Sequence, residues 1–241
     1  MKILVLIHLF LLYSIICPSL LGQEDGYAEL LVGNEIEKGY YLNGKKDGVW
    51  TREYKNGSIS KIESFKDGLR QGVSMEFSRE GYISKQQYFK NDVPDGSMIE
   101  YWTANTVKSK MRFVGGLEEG LVSLYYENGK LQEETSYVNG KKSGASKWFD
   151  QNQKIIALYH YKDGLFDGKN VSYYPNGNPQ TEQVYTSNVL NGPYIEYYST
   201  GKLKISGNYN MGNKEGEWSE YEPHGTVLKT TVYINGAESN K

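Results

Sequence analysis

Four glutamates are the first residues in this chain whose type and spacing could do chemistry. Glu76 and Glu100 stand 24 residues apart, as do Glu196 and Glu220. Two carboxylates held close together can bind a cation or divide acid and base roles, as in glycoside hydrolysis. The same column holds Arg52, Leu124, Trp148 and Ser172 elsewhere. A column that varies so freely reads as a solvated face, and we expect no catalytic residue there. The three histidines, His8, His160 and His224, are scattered and do not make a zinc site. No Gly-x-Ser-x-Gly elbow is present. Gly164 to Lys169 has glycines but lacks the spacing and the Ser/Thr of a phosphate loop. We therefore expect no enzyme, no cofactor and no metal.

The aromatic residues form the second constellation. Phe77, Tyr101, Tyr125, Phe149, Tyr173, Tyr197 and Tyr221 recur every 24 residues and, with Ile99, Val171 and Ile195, are expected to be the stacked core. A neighbouring column, Tyr54, Trp102, Tyr126, Tyr174 and Tyr198, is expected to point the other way. With Trp50, Tyr194 and Trp218 it would form an exposed aromatic groove, a surface suited to a protein or a glycan. Trp50, Trp102, Tyr126, Tyr174, Tyr194, Tyr198 and Trp218, with Glu100, Glu196 and Glu220, are the candidate partner-binding residues.

What must position these residues is a repeat. Gly48, Gly72, Gly96, Gly120, Gly144, Gly168, Gly192 and Gly216 are separated by 24 residues without one insertion. Tyr41, Phe65, Phe89, Phe113, Tyr137, Tyr161, Tyr185, Tyr209 and Tyr233 keep the same period. Such self-similarity marks one supersecondary unit copied head to tail. Four residues before each strict glycine lies another glycine, replaced only by Asp92 and Asn188. Asp and Asn best tolerate positive φ after glycine, so this position is a backbone requirement.

Nine residues after the strict glycine comes a second turn, as Asn56-Gly57, Asn128-Gly129 and Asn176-Gly177, with Gly81, Gly201 and Gly225 elsewhere. Pro175 and Pro223 suit the second position of a type I turn followed by a glycine bulge. That bulged loop would set Tyr125 opposite Leu131, Tyr173 opposite Pro179 and Tyr197 opposite Leu203; a two-residue loop would oppose Tyr125 to Gln132. The bulged form is preferred because it faces aromatics with mostly aliphatic partners. Each unit is then one β-hairpin, and the expected fold is all-β: an elongated, single-layer antiparallel sheet of tandem 24-residue hairpins.

Composition fits such a fold. Mean hydropathy is -0.62 in a chain with 22 Tyr and 27 Gly, yet aromatics make up 14% of it and recur at fixed spacing, against the depletion of aromatics in disordered chains. Residues 1–22 break the period: Met1-Lys2, an apolar run from Ile3 to Ile16, then Cys17 to Gly22, the pattern of a secretory signal peptide. Loss of that segment removes only Lys2, leaving 26 basic against 29 acidic residues, a formal charge of -3. That balance excludes a nucleic-acid footprint. It also leaves membrane attachment to lipidation of Cys17, which follows Ile16 where a lipobox wants a small residue. The expected organisation is 1–22 signal, 23–39 a degenerate half-repeat capping the first edge, 40–236 eight repeats and the start of a ninth, and 237–241 a polar tail.

Tyr137-Val138-Asn139-Gly140-Lys141-Lys142-Ser143-Gly144 and Tyr125-Tyr126-Glu127-Asn128-Gly129-Lys130-Leu131 resemble the MORN-repeat variant of bacterial proteins of the YwqK antitoxin type. The resemblance spans roughly residues 40–236. It implies a scaffolding, membrane-proximal or toxin-neutralising role. The reading expected from residues and resemblance together is an exported, non-enzymatic protein that binds or scaffolds a protein partner. A YwqK-type antitoxin and a glycan-binding or glycan-cleaving protein are the alternatives. Export is expected to a periplasmic, outer-surface or secreted location in a bacterium.

Overall fold

The computed structural model describes residues 24–103 and 105–239; the signal-peptide and Cys17 readings lie outside the described residues. Every described element is a strand, and together they make one open antiparallel sheet of 21 strands. Strands close to each other in sequence lie next to each other in the sheet, so the array grows hairpin by hairpin, as the glycine periods require.

Two kinds of turn alternate. Asn43-Gly44, Asp67-Gly68, Asn139-Gly140 and their equivalents have positive φ at both central positions, the type I′ requirement of a two-residue hairpin. Asp92 and Asn188, which replace glycine in this slot, hold φ of 66° and 68°. From Gly68 onward the second residue of each such turn donates its N–H to a carbonyl of the preceding unit, as Gly68 does to Lys46 at 2.8 Å and Gly140 to Glu118 at 2.9 Å, whereas Gly44 N–H donates to Asp25 Oδ1 at 2.9 Å. The other edge carries the type I turn with its glycine bulge: Gly129 N–H donates to the Tyr126 carbonyl at 2.9 Å, and Tyr126 N–H to that of Lys130 at 2.9 Å. Tyr125 stands opposite Leu131, Tyr173 opposite Pro179 and Tyr197 opposite Leu203, the expected register.

Residues 24–39 form more than a half-repeat. Strand Gly26–Val32 pairs along its whole length with strand Glu35–Leu42 through a two-residue turn at Gly33-Asn34, without a bulge. At the far end, Ala237–Glu238 begins the next outgoing strand against Tyr233 and Ile234.

The strict glycines form a bulge. Tyr40 pairs with Asp47 and Lys38 with Thr51, so three residues, Gly48 to Trp50, stand opposite the single residue Gly39. Gly48 and its equivalents take φ between 72° and 130°. The bulge turns the residue two places after the strict glycine into the sheet's most buried column: Trp50, Ser74, Met98, Val122, Ser146, Asn170 and Trp218 are buried, and Tyr194 is half-buried. The core thus lies here, and it is partly polar. The column Phe77, Tyr101, Tyr125, Phe149, Tyr173, Tyr197 and Tyr221, expected to be that core, is half-buried throughout. A single layer has no second sheet to cover it. Its interior is instead made where a bulge folds one side chain over its neighbours.

Candidate functional site: one face and its aromatic clusters

The glutamates do not form carboxylate pairs. Cross-strand register sets Glu37, Arg52, Lys61, Glu76, Lys85, Glu100 and Ser109 next to one another on successive strands. Lys85 therefore stands between Glu76 and Glu100, and two strand spacings put their backbones about 10 Å apart. Glu100 lies 4.0 Å from Lys85 and 3.9 Å from Lys108, and accepts a bond from Ser109 Oγ at 3.2 Å. Ile205 likewise separates Glu196 from Glu220. Glu196 is bound to Lys204 Nζ at 2.5 Å, while Glu220 is exposed. Opposite charges on adjacent strands stabilise such a row, as at Lys61–Glu76 and Lys85–Glu100.

That row continues through Leu124, Glu133, Trp148, Ala157, Ser172 and Thr181 to Glu196, Ile205, Glu220 and Lys229. It crosses the whole array on the same side as the buried bulge column. It is ionic at the N-terminal end and largely neutral in the middle.

Trp50 and Trp218, expected to be exposed, are 1% and 5% exposed. The reason is local. Each indole rests on a glycine, Gly39 or Gly207, where a Cβ would fall 2.2 Å from the ring. Trp50 Nε1 donates to the Tyr40 carbonyl at 3.1 Å and Trp218 Nε1 to that of Asn208 at 3.2 Å. Tyr41 meets Trp50 edge-on at 5.0 Å and 82°, and Tyr209 meets Trp218 at the same distance and angle. The two clusters are one design used twice, seven units apart. The pairing of the largest side chain with a glycine eleven residues earlier was visible in the sequence and marks the burial.

The column thought to line an outward groove is half turned inward. Tyr54, Tyr126, Tyr174 and Tyr198 donate their hydroxyls to the carbonyls of Phe77, Phe149, Tyr197 and Tyr221 at 2.7–2.8 Å, each in the next unit. Trp102 does the same through Nε1 to Tyr125 at 2.9 Å while 40% of its surface stays exposed. These rings staple neighbouring units along the edge opposite the type I′ turns.

Three candidates do converge. Tyr194, Trp218 and Glu220 line a cleft of about 130 Å³ with Ile205, Tyr209, Lys214, Thr231 and Tyr233. A wider polar cleft, about 400 Å³, lies at the other end among Asn34, Glu35, Tyr54, Lys55, Asn56 and Arg79. His160 Nδ1 lies against the Lys169 carbonyl, and His224 lies 2.8 Å from Glu222.

The lysines two places before the strict glycine escaped sequence reasoning. Lys46 Nζ lies 4.3 Å from the Trp50 ring and 5.0 Å from that of Phe65; Lys214 lies 4.3 Å from Trp218 and 4.9 Å from Tyr233. A cation over an aromatic face is attracted by the ring quadrupole. Lys46 also binds the buried Glu37 at 2.6 Å, with Arg52 on the other oxygen at 3.1 Å. Burial alone would raise the Glu37 pKa, but the hydrogen bonds from Lys46 and Arg52 prevail and hold it below the usual carboxylate value.

Residues 46–67, 118–139, 166–186, 190–211 and 214–235 match the family described as the MORN repeat variant. Each match opens two residues before a strict glycine and closes at or just before a type I′ turn, so the family's unit is one bulged hairpin. The units between the matches, such as Leu69–Lys90, fold the same way. No curated protein matches the chain. The chain is thus a tandem array of hairpins, five of which match the MORN repeat variant.

Proposed function

We propose that this chain is an exported, non-enzymatic protein that holds a protein partner along one face of its sheet. The observation that supports this is the row from Glu37 to Lys229, in which half-buried or exposed charges at Arg52, Lys61, Glu76, Lys85, Glu100, Glu196, Glu220 and Lys229 recur along one side of the sheet between buried members such as Glu37, Ser109, Glu133 and Ala157. A stable protein interface needs roughly 800 Å² on each side, and an array whose units contact only their neighbours provides such area by extension. Glu76 and Glu100 alternate with Lys61 and Lys85, an arrangement suited to register and specificity.

The test is capture from the exported fraction with the whole chain, compared with a variant carrying Lys85→Ala, Glu100→Ala and Glu196→Ala. Loss of a specific partner in the variant is expected. A partner retained in full by the variant overturns the assignment of this face.

The narrower reading, an antitoxin of the YwqK type, rests on the motifs at Tyr125–Leu131 and Tyr137–Gly144 and would make the partner a toxin. Co-purification with the product of a neighbouring gene, and rescue of cells from that product, is its test.

A further inference from the structure

Three units carry a lysine two places before the strict glycine with aromatic rings beneath it: Lys46, Lys142 and Lys214. Nine residues before each lysine, on the adjacent strand and within side-chain reach, stands a residue of the row, and in the first two cases it is glutamate. Lys46 binds Glu37 at 2.6 Å, and Lys142 binds Glu133 at 3.2 Å. Both carboxylates are buried. In the third unit the residue is Ile205, and Lys214 makes no ion pair among the described residues. The Trp218 cluster repeats the Trp50 cluster in ring distances, ring angles and indole bond, but Glu220 stands opposite Ile205 where Arg52 stands opposite Glu37, and the ring of Tyr194 lies 5.5 Å from Trp218.

Where the first cluster holds an internal carboxylate, the third has a cleft of about 130 Å³ bounded by Ile205, Lys214, Trp218 and Tyr233. We propose that this cleft is a binding site for a single carboxylate on a short apolar stem, which takes the place that Glu37 fills in the first cluster. Lys214 supplies the cation, the rings and Ile205 cover the stem, and Thr231 with the tyrosine hydroxyls supplies further hydrogen-bonding groups. Glu220 lies at the same cleft in the position that Arg52 holds in the first cluster, so the site has one cation rather than two, and the like charge of Glu220 opposes any carboxylate ligand and most strongly one with a second carboxylate close to the first. The same chemistry is presented by a free short-chain acid and by an acidic side chain of a peptide. The site does not depend on the partner reading above, since a free acid would occupy it whether or not a protein docks on the face.

The indole N–H resonances of Trp218 and Trp50 in the full chain report the two clusters separately. One titration uses propionate, with propionamide as neutral control. A second uses a terminally blocked peptide with one glutamate, with the glutamine peptide as control. A saturable shift of Trp218 with either charged probe, at least tenfold weaker for its neutral control and absent at Trp50, is expected; which probe saturates tells the free acid from the side chain. Lys214→Met should weaken that binding tenfold or more. Ile205→Glu should place an internal carboxylate on Lys214 and abolish the shift. Glu37→Ile should open a second site that reports at Trp50. No saturable shift with either probe, equal shifts with the neutral controls, or undiminished binding in a folded Ile205→Glu protein would overturn the proposal.

Discussion

The Trp50 indole lies on the backbone of Gly39, so close that a Cβ at position 39 would fall 2.2 Å from Cδ2. The Gly39 backbone is otherwise ordinary, since it does not require the positive φ of the turn glycines. The cost of a side chain there is therefore the cost of moving the ring. Gly39→Ala is expected to destabilise by about 1–3 kcal/mol, as overpacking does. Trp50→Ala should cost about 3–5 kcal/mol. In the double variant the alanine at 39 meets no ring, so the two effects should fall well short of adding. Urea denaturation of the four proteins measures this; additive costs would show that the glycine serves something other than the indole.

The hydroxyl of Tyr126 reaches the Phe149 carbonyl at 2.7 Å, across the boundary between two units. Tyr126→Phe keeps the ring and removes only that bond, so it should cost about 1 kcal/mol, the usual net worth of such a hydrogen bond. Because units in an array contact only their neighbours, the loss should appear as faster amide exchange in the two hairpins that the bond joins, with distant units unchanged. If exchange instead rises evenly along the array, the staple is not local, and the chain unfolds as a single block.

The turns were legible from single residues. Asp92 and Asn188 in place of glycine told of positive φ, and Pro175 told of a type I turn whose bulge set Tyr173 against Pro179. Turn chemistry is local, so sequence carries it directly. The faces were harder. Alternation along a strand says that Trp50 and Tyr125-type residues lie on opposite sides, but not which side is covered. In one layer that depends on the bulge at Gly48, where three residues oppose one and the third is folded onto the sheet. The Tyr126 column deceived for a related reason: its aromatic character was plain, yet the hydroxyl's partner lies 23 residues on, in the next unit. Glu76 and Glu100 looked like a pair because both sit in one column, whereas a return strand bringing Lys85 always comes between consecutive members of a column.

Glu37 gives the acid side of the stability profile a definite sign. Its hydrogen bonds from Lys46 and Arg52 outweigh burial and lower its pKa from the usual 4.5. Between that value and the lower native one, the unfolded chain binds more protons than the native state, so stability rises with pH there. The contribution is fully present above the unfolded value and is lost as pH falls through the native one. Glu37→Gln should lower stability at neutral pH, because it leaves Lys46 and Arg52 facing a neutral amide, and should flatten the fall in stability between neutral pH and the acid range. Urea midpoints measured from pH 7 downward for both proteins decide the matter. Parallel curves would mean that Glu37 titrates alike in the folded and unfolded chains, and that its contacts with Lys46 and Arg52 do not hold its charge.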